Sequence, residues 1–179
     1  MTTLVHESGR SWSLSRCRCC DFGSRLLASG DVAYEVRVEQ VAPRRLAATH
    51  ATVSRRRLSG EILALFDRVW PVVRRQGVVT GHNVVIYYAG DLETISVDVG
   101  VEASGFFASG DVNSVATPAG EVATTSHFGE YSDLAAAHEV LERWCVANGR
   151  QAGLRWEVYG DWEENPAKRQ TDVYFLLEG

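Results

Sequence analysis

The chain has 179 residues, which suits one domain with a short appendage and is too little for two independently folded ones. With 45% hydrophobic and 23% charged residues the balance is that of an ordinary globular protein, which excludes wholesale disorder. A formal charge of -5 counts against a general nucleic-acid binder, and no stretch of eighteen apolar residues offers a membrane helix.

Residues 1–31 are rich in Ser, Arg and Gly and lack periodicity, so they read as a poorly structured extension ahead of a folded domain at 32–179. The first ten residues hold no signal-peptide core, and a cytoplasmic location is expected. Cys17, Cys19 and Cys20 form a C-x-C-C cluster that could bind metal with Cys145 only if the fold gathered all four; a reduced tail without metal is expected instead.

Residues 34–41 alternate apolar and polar as a half-buried strand does, and Pro43 closes it. A second strand over 45–52 leads to Arg55-Arg56-Arg57, read as a solvated loop. Ser59 is placed as the N-cap of an amphipathic helix whose stripe runs through Ile62, Leu65, Phe66, Val69, Val72 and Val73 to Gly77. Pro71 is expected to kink this helix or delay its start. Strands over 82–89 and 94–101 follow, joined by a turn at Gly90 and Asp91.

The pattern then recurs. A strand over 112–116, a turn at Pro118-Ala119-Gly120 and a strand over 121–127 lead to Ser132, a second N-cap candidate. A second helix carries Leu134, Ala137, Leu141, Trp144 and Cys145 on one face and stops at Asn148-Gly149, and strands over 154–159 and 171–177 close the chain. Leu46-Ala47-Ala48-Thr49 aligns with Val122-Ala123-Thr124-Thr125, 76 positions on, and the stretch 85–90 aligns with 155–160, 70 positions on. The expected fold is α+β: a pseudo-symmetric tandem of two strand-helix-strand-strand modules, forming an antiparallel sheet with helices on one side and a ligand groove between the modules.

Strand alternation puts Arg155, Glu157 and Tyr159 on one face and Trp156 and Val158 on the other. Tyr87 is the repeat counterpart of Glu157, so a phenol and a carboxylate are expected to face one cavity. Such a carboxylate could shuttle a proton, steer a water or attract a cation; the plainer alternative is a surface Glu157 paired with Arg155. Trp70 and Trp144 sit at matching places near the helix ends and read as core, whereas Trp156, Tyr87, Tyr131 and Tyr174 are expected to line the groove. The acidic run Asp161-Trp162-Glu163-Glu164 reads as a solvated loop. Histidines at 50, 82, 127 and 138 are scattered, with His127 expected to bond a loop carbonyl, and no phosphate-binding loop, metal site or cofactor is expected.

His127-Phe128-Gly129-Glu130-Tyr131-Ser132-Asp133-Leu134, Trp156-Glu157-Val158-Tyr159 and Thr171-Asp172-Val173-Tyr174, in that order and with the internal duplication, resemble the GyrI-like family, also known as AraC-type effector-binding domains. The resemblance spans roughly residues 33–177. It implies two pseudo-symmetric modules with a ligand groove at their junction and an acidic groove residue that meets cationic or polar ligands, here Glu157. Two departures stand out: the first repeat has Arg55-Arg56-Arg57 where the second has its Gly-x-Tyr lead-in, and Trp156 replaces the arginine common before the glutamate.

Three functions follow from that resemblance. The first is a stand-alone protein that binds a drug-like, hydrophobic or cationic small organic molecule, for sequestration or regulation. The second is a hydrolase of cyclopropane-bearing alkylating natural products, with Glu157 and Tyr87 as catalytic residues. The third is a protein inhibitor of gyrase. A small organic ligand is the expected partner, with a regulator or gyrase as a protein partner, and without direct nucleic-acid or membrane binding.

Overall fold

The computed structural model of the chain describes residues 25–29, 32–105 and 108–178; Cys17, Cys19 and Cys20 and the rest of the expected extension lie outside the described residues. Ten strands and two helices are present among them. In chain order these are β1 (Arg25–Ser29), β2 (Val32–Val41), β3 (Arg45–Ser54), α1 (Leu58–Arg75), β4 (Thr80–Gly90), β5 (Thr94–Ala103) and β6 (Ala108–Ser109). After them come β7 (Val112–Ala116), β8 (Gly120–Phe128), α2 (Leu134–Ala147), β9 (Gln151–Tyr159) and β10 (Gln170–Glu178). β1 falls within the segment read as an extension and pairs with β2, Leu27 opposite Tyr34.

All strands pair antiparallel in one sheet of order β1-β2-β8-β10-β9-β4-β5-β3-β7-β6. The order from β2 to β7 is palindromic: β2-β8-β10-β9 mirrors β7-β3-β5-β4, as the duplication requires. At the centre of β4 and β9, Ile86 faces Trp156, its own repeat counterpart, so the pseudo-twofold axis passes through that pair. A duplicated chain that joins two copies by one strand edge from each buries both edges at once.

One feature of the topology is absent from the strand-helix-strand-strand pattern. Each module is preceded by one more strand, and each of these sits on the other module's outer edge: β2 pairs with β8, and β7 pairs with β3. Six strand spacings separate β2 from β3, roughly 29 Å across a flat sheet. Residues 42–44 bridge the gap, a reach of at most about 14 Å. The sheet must therefore curl until its flanks meet, and the two crossing segments touch: Thr117 N–H donates to Arg44 O, and Arg44 N–H donates to Thr117 Oγ1, both at 2.9 Å.

Curling encloses the sheet face turned away from the helices, where Leu46, Ala48, Val84, Ile86, Val122, Trp156, Val158 and Tyr174 form a core of their own. On the opposite face α1 packs Ile62, Leu65, Val69 and Val73 over β3 and β5, and α2 packs Ala137, Val140, Leu141 and Trp144 over β2, β8 and β10. Neither helix begins at its expected cap. Each is led in by a 3-10 turn, Arg55–Arg57 and Tyr131–Asp133, 76 positions apart, so Ser59 lies inside α1 and Ser132 inside the second turn. Glu61 Oε2 instead accepts Ser54 N–H at 2.9 Å, which ties the first turn of α1 to the end of β3. α1 starts at Leu58 and runs through Pro71 to Arg75, so Pro71 does not delay its start.

Candidate functional site

Between the helices, on their side of the β4–β9 seam, strand alternation brings Tyr87, Glu157 and Tyr159 together. Tyr87 and Glu157 lie diagonally across the Ile86–Trp156 pair. The carboxylate is 4% exposed and accepts three hydrogen bonds. Tyr87 OH donates to Oε2 at 2.9 Å, Tyr159 OH donates to the same oxygen, and His138 Nε2 meets Oε1 at 2.7 Å. Burial, then the charge of Glu157, pushes the hydroxyls of Tyr87 and Tyr159 well above the ordinary tyrosine range, so both remain donors at neutral pH.

Aromatic rings enclose this cluster. Phe66 from α1 and Tyr131 from the second 3-10 turn stand edge-on to Tyr159, with centroids 6.3 and 5.5 Å away. Tyr87 is edge-on to His138 at 6.2 Å, and Phe175 of β10 lies 5.7 Å from the same imidazole. Arg155, offered by the sequence as a partner for Glu157, instead pairs with Glu142 of α2 at 2.6 Å and lays its guanidinium 4.4 Å over the Phe175 ring. A shielded carboxylate among aromatic rings suits an organic cation chemically, because stacking and cation–π attraction add to Coulomb attraction where water screens least.

A cleft opens at one end of the seam. β4–β9 pairing stops at Tyr87 opposite Arg155, while β4 runs on to Gly90 and β9 has come from Gln151. Register shifts against β5 and β10 accompany the parting of the strands. The resulting cleft has a volume of ≈ 490 Å³ and is walled by Tyr87, Tyr88, Arg55, Arg155 and Glu178 with residues 151–154. Tyr87 lines this cleft, and its hydroxyl donates to Glu157.

The structure thus brings Glu157, Tyr87 and Tyr131 to one side of the sheet, Tyr131 at the rim with 39% of its surface exposed. It does not bring Trp156 and Tyr174 there: both lie on the enclosed face, 3% and 9% exposed. His138, one of the scattered histidines of the sequence, joins the site unannounced by any motif. Its signal was helical spacing, since it follows Leu134 by four positions and precedes Leu141 by three, the stripe that α2 turns to the sheet. His127 meets the Glu130 carbonyl with Nε2 at 3.1 Å, the loop contact expected of it. Cys145 is buried in the α2 core, and the described residues hold no group of three or more His, Cys, Asp or Glu suited to a metal. No helix among them is long and apolar enough to cross a membrane.

A family model described as the GyrI-like small molecule binding domain matches residues 34–178. Among curated proteins no sequence matches the chain. Among solved structures it is similar to the EcmrR C-terminal domain, at 18% identity and TM-score 0.66, covering 81% of this chain and 98% of that one. Against EcmrR in its complex with DNA, at 18% identity and TM-score 0.68, the aligned part is 81% of this chain and 57% of the EcmrR chain. SAV2435 bound to tetraphenylphosphonium aligns at 14% identity and TM-score 0.60, over 81% of this chain and 94% of that one. A hydrolase from Listeria innocua aligns at 10% identity and TM-score 0.52, over 80% and 91%. At these identities the likeness is one of fold.

Proposed function

Because the chain belongs to the GyrI-like small-molecule-binding family, we propose that it captures a hydrophobic organic cation at the seam between its modules, with Glu157 as the counter-charge. The observation that carries this reading is a carboxylate 4% exposed, among aromatic side chains and hydrogen-bonded by Tyr87, which lines an open cleft. Burying a carboxylate costs several kcal/mol, on the order expected for an ion taken out of water, and a bound cation offsets that cost. The ligand enters by the cleft, Tyr87 turns aside, and a flat or bulky apolar cation packs against Tyr131, Tyr159 and Phe66. Capture of this kind serves sequestration of a toxic compound or the control of a partner. The SAV2435 complex shows tetraphenylphosphonium held by a protein of the same fold, which makes it the first probe to use.

Calorimetric titration with tetraphenylphosphonium tests the proposal. Binding should weaken about ten-fold or more in Glu157→Gln, equivalent to about 1.4 kcal/mol. Equal affinity in the variant would defeat it. The Tyr87–Glu157 hydrogen bond favours a second reading, in which the pair activates water against a strained, electrophilic ring. Incubation with a spirocyclopropane alkylating agent then yields a ring-opened product, and the yield falls in Glu157→Gln; unaltered compound excludes it.

A further inference from the structure

Among the described residues, His138 is the group in hydrogen-bond contact with Glu157 whose side chain becomes a cation on protonation. From β9 it faces Glu157, whose far oxygen is held by Tyr159; from β4 it faces Tyr87; from β10 it faces the uncharged Phe175. Arg155, two positions before Glu157 on β9, is engaged by Glu142, one turn along α2 from His138, and by the Phe175 ring. His138 also keeps 21% of its side chain exposed, against 5% for Glu157, so a proton leaving the imidazole has a path to solvent.

We propose that His138 is the built-in competitor for the cation site: its protonated imidazole and an organic cation exclude one another beside the single carboxylate of Glu157, and ligand capture is coupled to release of the His138 proton. This rests on the reading that a cation occupies Glu157, and it adds which residue sets the selectivity of the site. Two positive charges beside one buried carboxylate would leave one of them uncompensated in a poorly hydrated space. The neutral imidazole keeps its N–H on Oε1, so the carboxylate stays oriented when the ligand supplies the charge. Acidification closes the site to cations without disturbing its apolar walls, and an uncharged compound of the same shape escapes the competition.

Tetraphenylphosphonium binding is measured by calorimetry from about pH 5.5 to 8.5 on the full chain, with triphenylphosphine oxide as the uncharged probe. Affinity for the cation should fall about ten-fold per pH unit on the acid side, with close to one proton released per ligand when buffers of different ionisation enthalpy are compared. Triphenylphosphine oxide should show no such slope. In His138→Gln the amide retains the hydrogen bond and cannot titrate, so the slope should vanish and affinity at the acid end should rise about ten-fold or more. A slope that persists in His138→Gln would assign the titration to the carboxyl of Glu157 and overturn the proposal. Glu157-dependent binding of the wild-type chain with no pH slope and no proton release would also overturn it while leaving cation capture intact. Absence of binding at every pH removes both. The buffer comparison needs only the wild-type chain, so a variant that folds poorly does not shield the proposal.

Discussion

Trp156 and Tyr174 face one another in the β9–β10 ladder and stack with centroids 5.1 Å apart and ring planes 5° from parallel. The pair lies on the sheet face opposite Glu157, under the segments that cross from β2 to β3 and from β7 to β8, with Arg44 and Thr117 beside it. Its geometry is that of a core element which closes the curled sheet.

Trp156→Ala should therefore cost about 3–5 kcal/mol of stability, the range for emptying a buried aromatic site. Trp156→Phe keeps a ring on Tyr174 and should cost less. Denaturant unfolding measures both, and tetraphenylphosphonium affinity in the folded Phe variant should match the wild type. Weakened binding with unchanged stability would place Trp156 in the ligand's path after all.

Close strand approach sets a second expectation. Gly100 of β5 faces Ala48 of β3, and a Cβ added there would sit 2.4 Å from Ala47 O and 2.4 Å from Ala48 Cβ. Backbone cannot yield as a flexible side chain does, so Gly100→Ala should destabilise by about 1–3 kcal/mol. In contrast, Gly60 in α1 has nothing within 4 Å of an added Cβ, and Gly60→Ala should gain about 0.5–1 kcal/mol from helix propensity. Thermal midpoints of the two variants should move in opposite directions.

The tyrosines set a limit at high pH. Tyr34, Tyr87, Tyr88, Tyr159 and Tyr174, five of the six in the chain, hold their hydroxyl protons above the ordinary range, in each case with burial as the first cause. Unfolded, they ionise near about pH 10. The stability this contributes is complete below that value and is lost as pH rises toward the folded values, because the unfolded chain there binds fewer protons than the folded one. Stability should be level to about pH 9.5 and then fall, with tyrosinate absorbance rising together with the loss of structure. Ionisation of all six near pH 10 in a chain that stays folded would contradict this.

Much of this architecture was legible in the residue pattern because its signals are local. Period-2 alternation located β2 to β5 and β7 to β10 to within a few residues, and the two offsets exposed the duplication that fixes the palindromic sheet. Alternation within β9, with the equivalence of Tyr87 and Glu157, also foretold that these two side chains share a face, and it already separated Trp156 from them. The helices start away from Ser59 and Ser132 because a capping preference is worth only about 1 kcal/mol and yields to the turn geometry that the strands before the helices impose.

What the sequence determined by itself, then, is the set of elements, their repetition and the faces their side chains take, since each depends on neighbours a few positions away. Tertiary structure alone decided that β2 and β7 exchange modules, that the sheet curls to bury Trp156 and Tyr174, and that His138 reaches Glu157 from another element. Those outcomes are hydrogen bonds and packing between residues up to 87 positions apart, and no periodicity within a strand or helix records which distant partner will complete it.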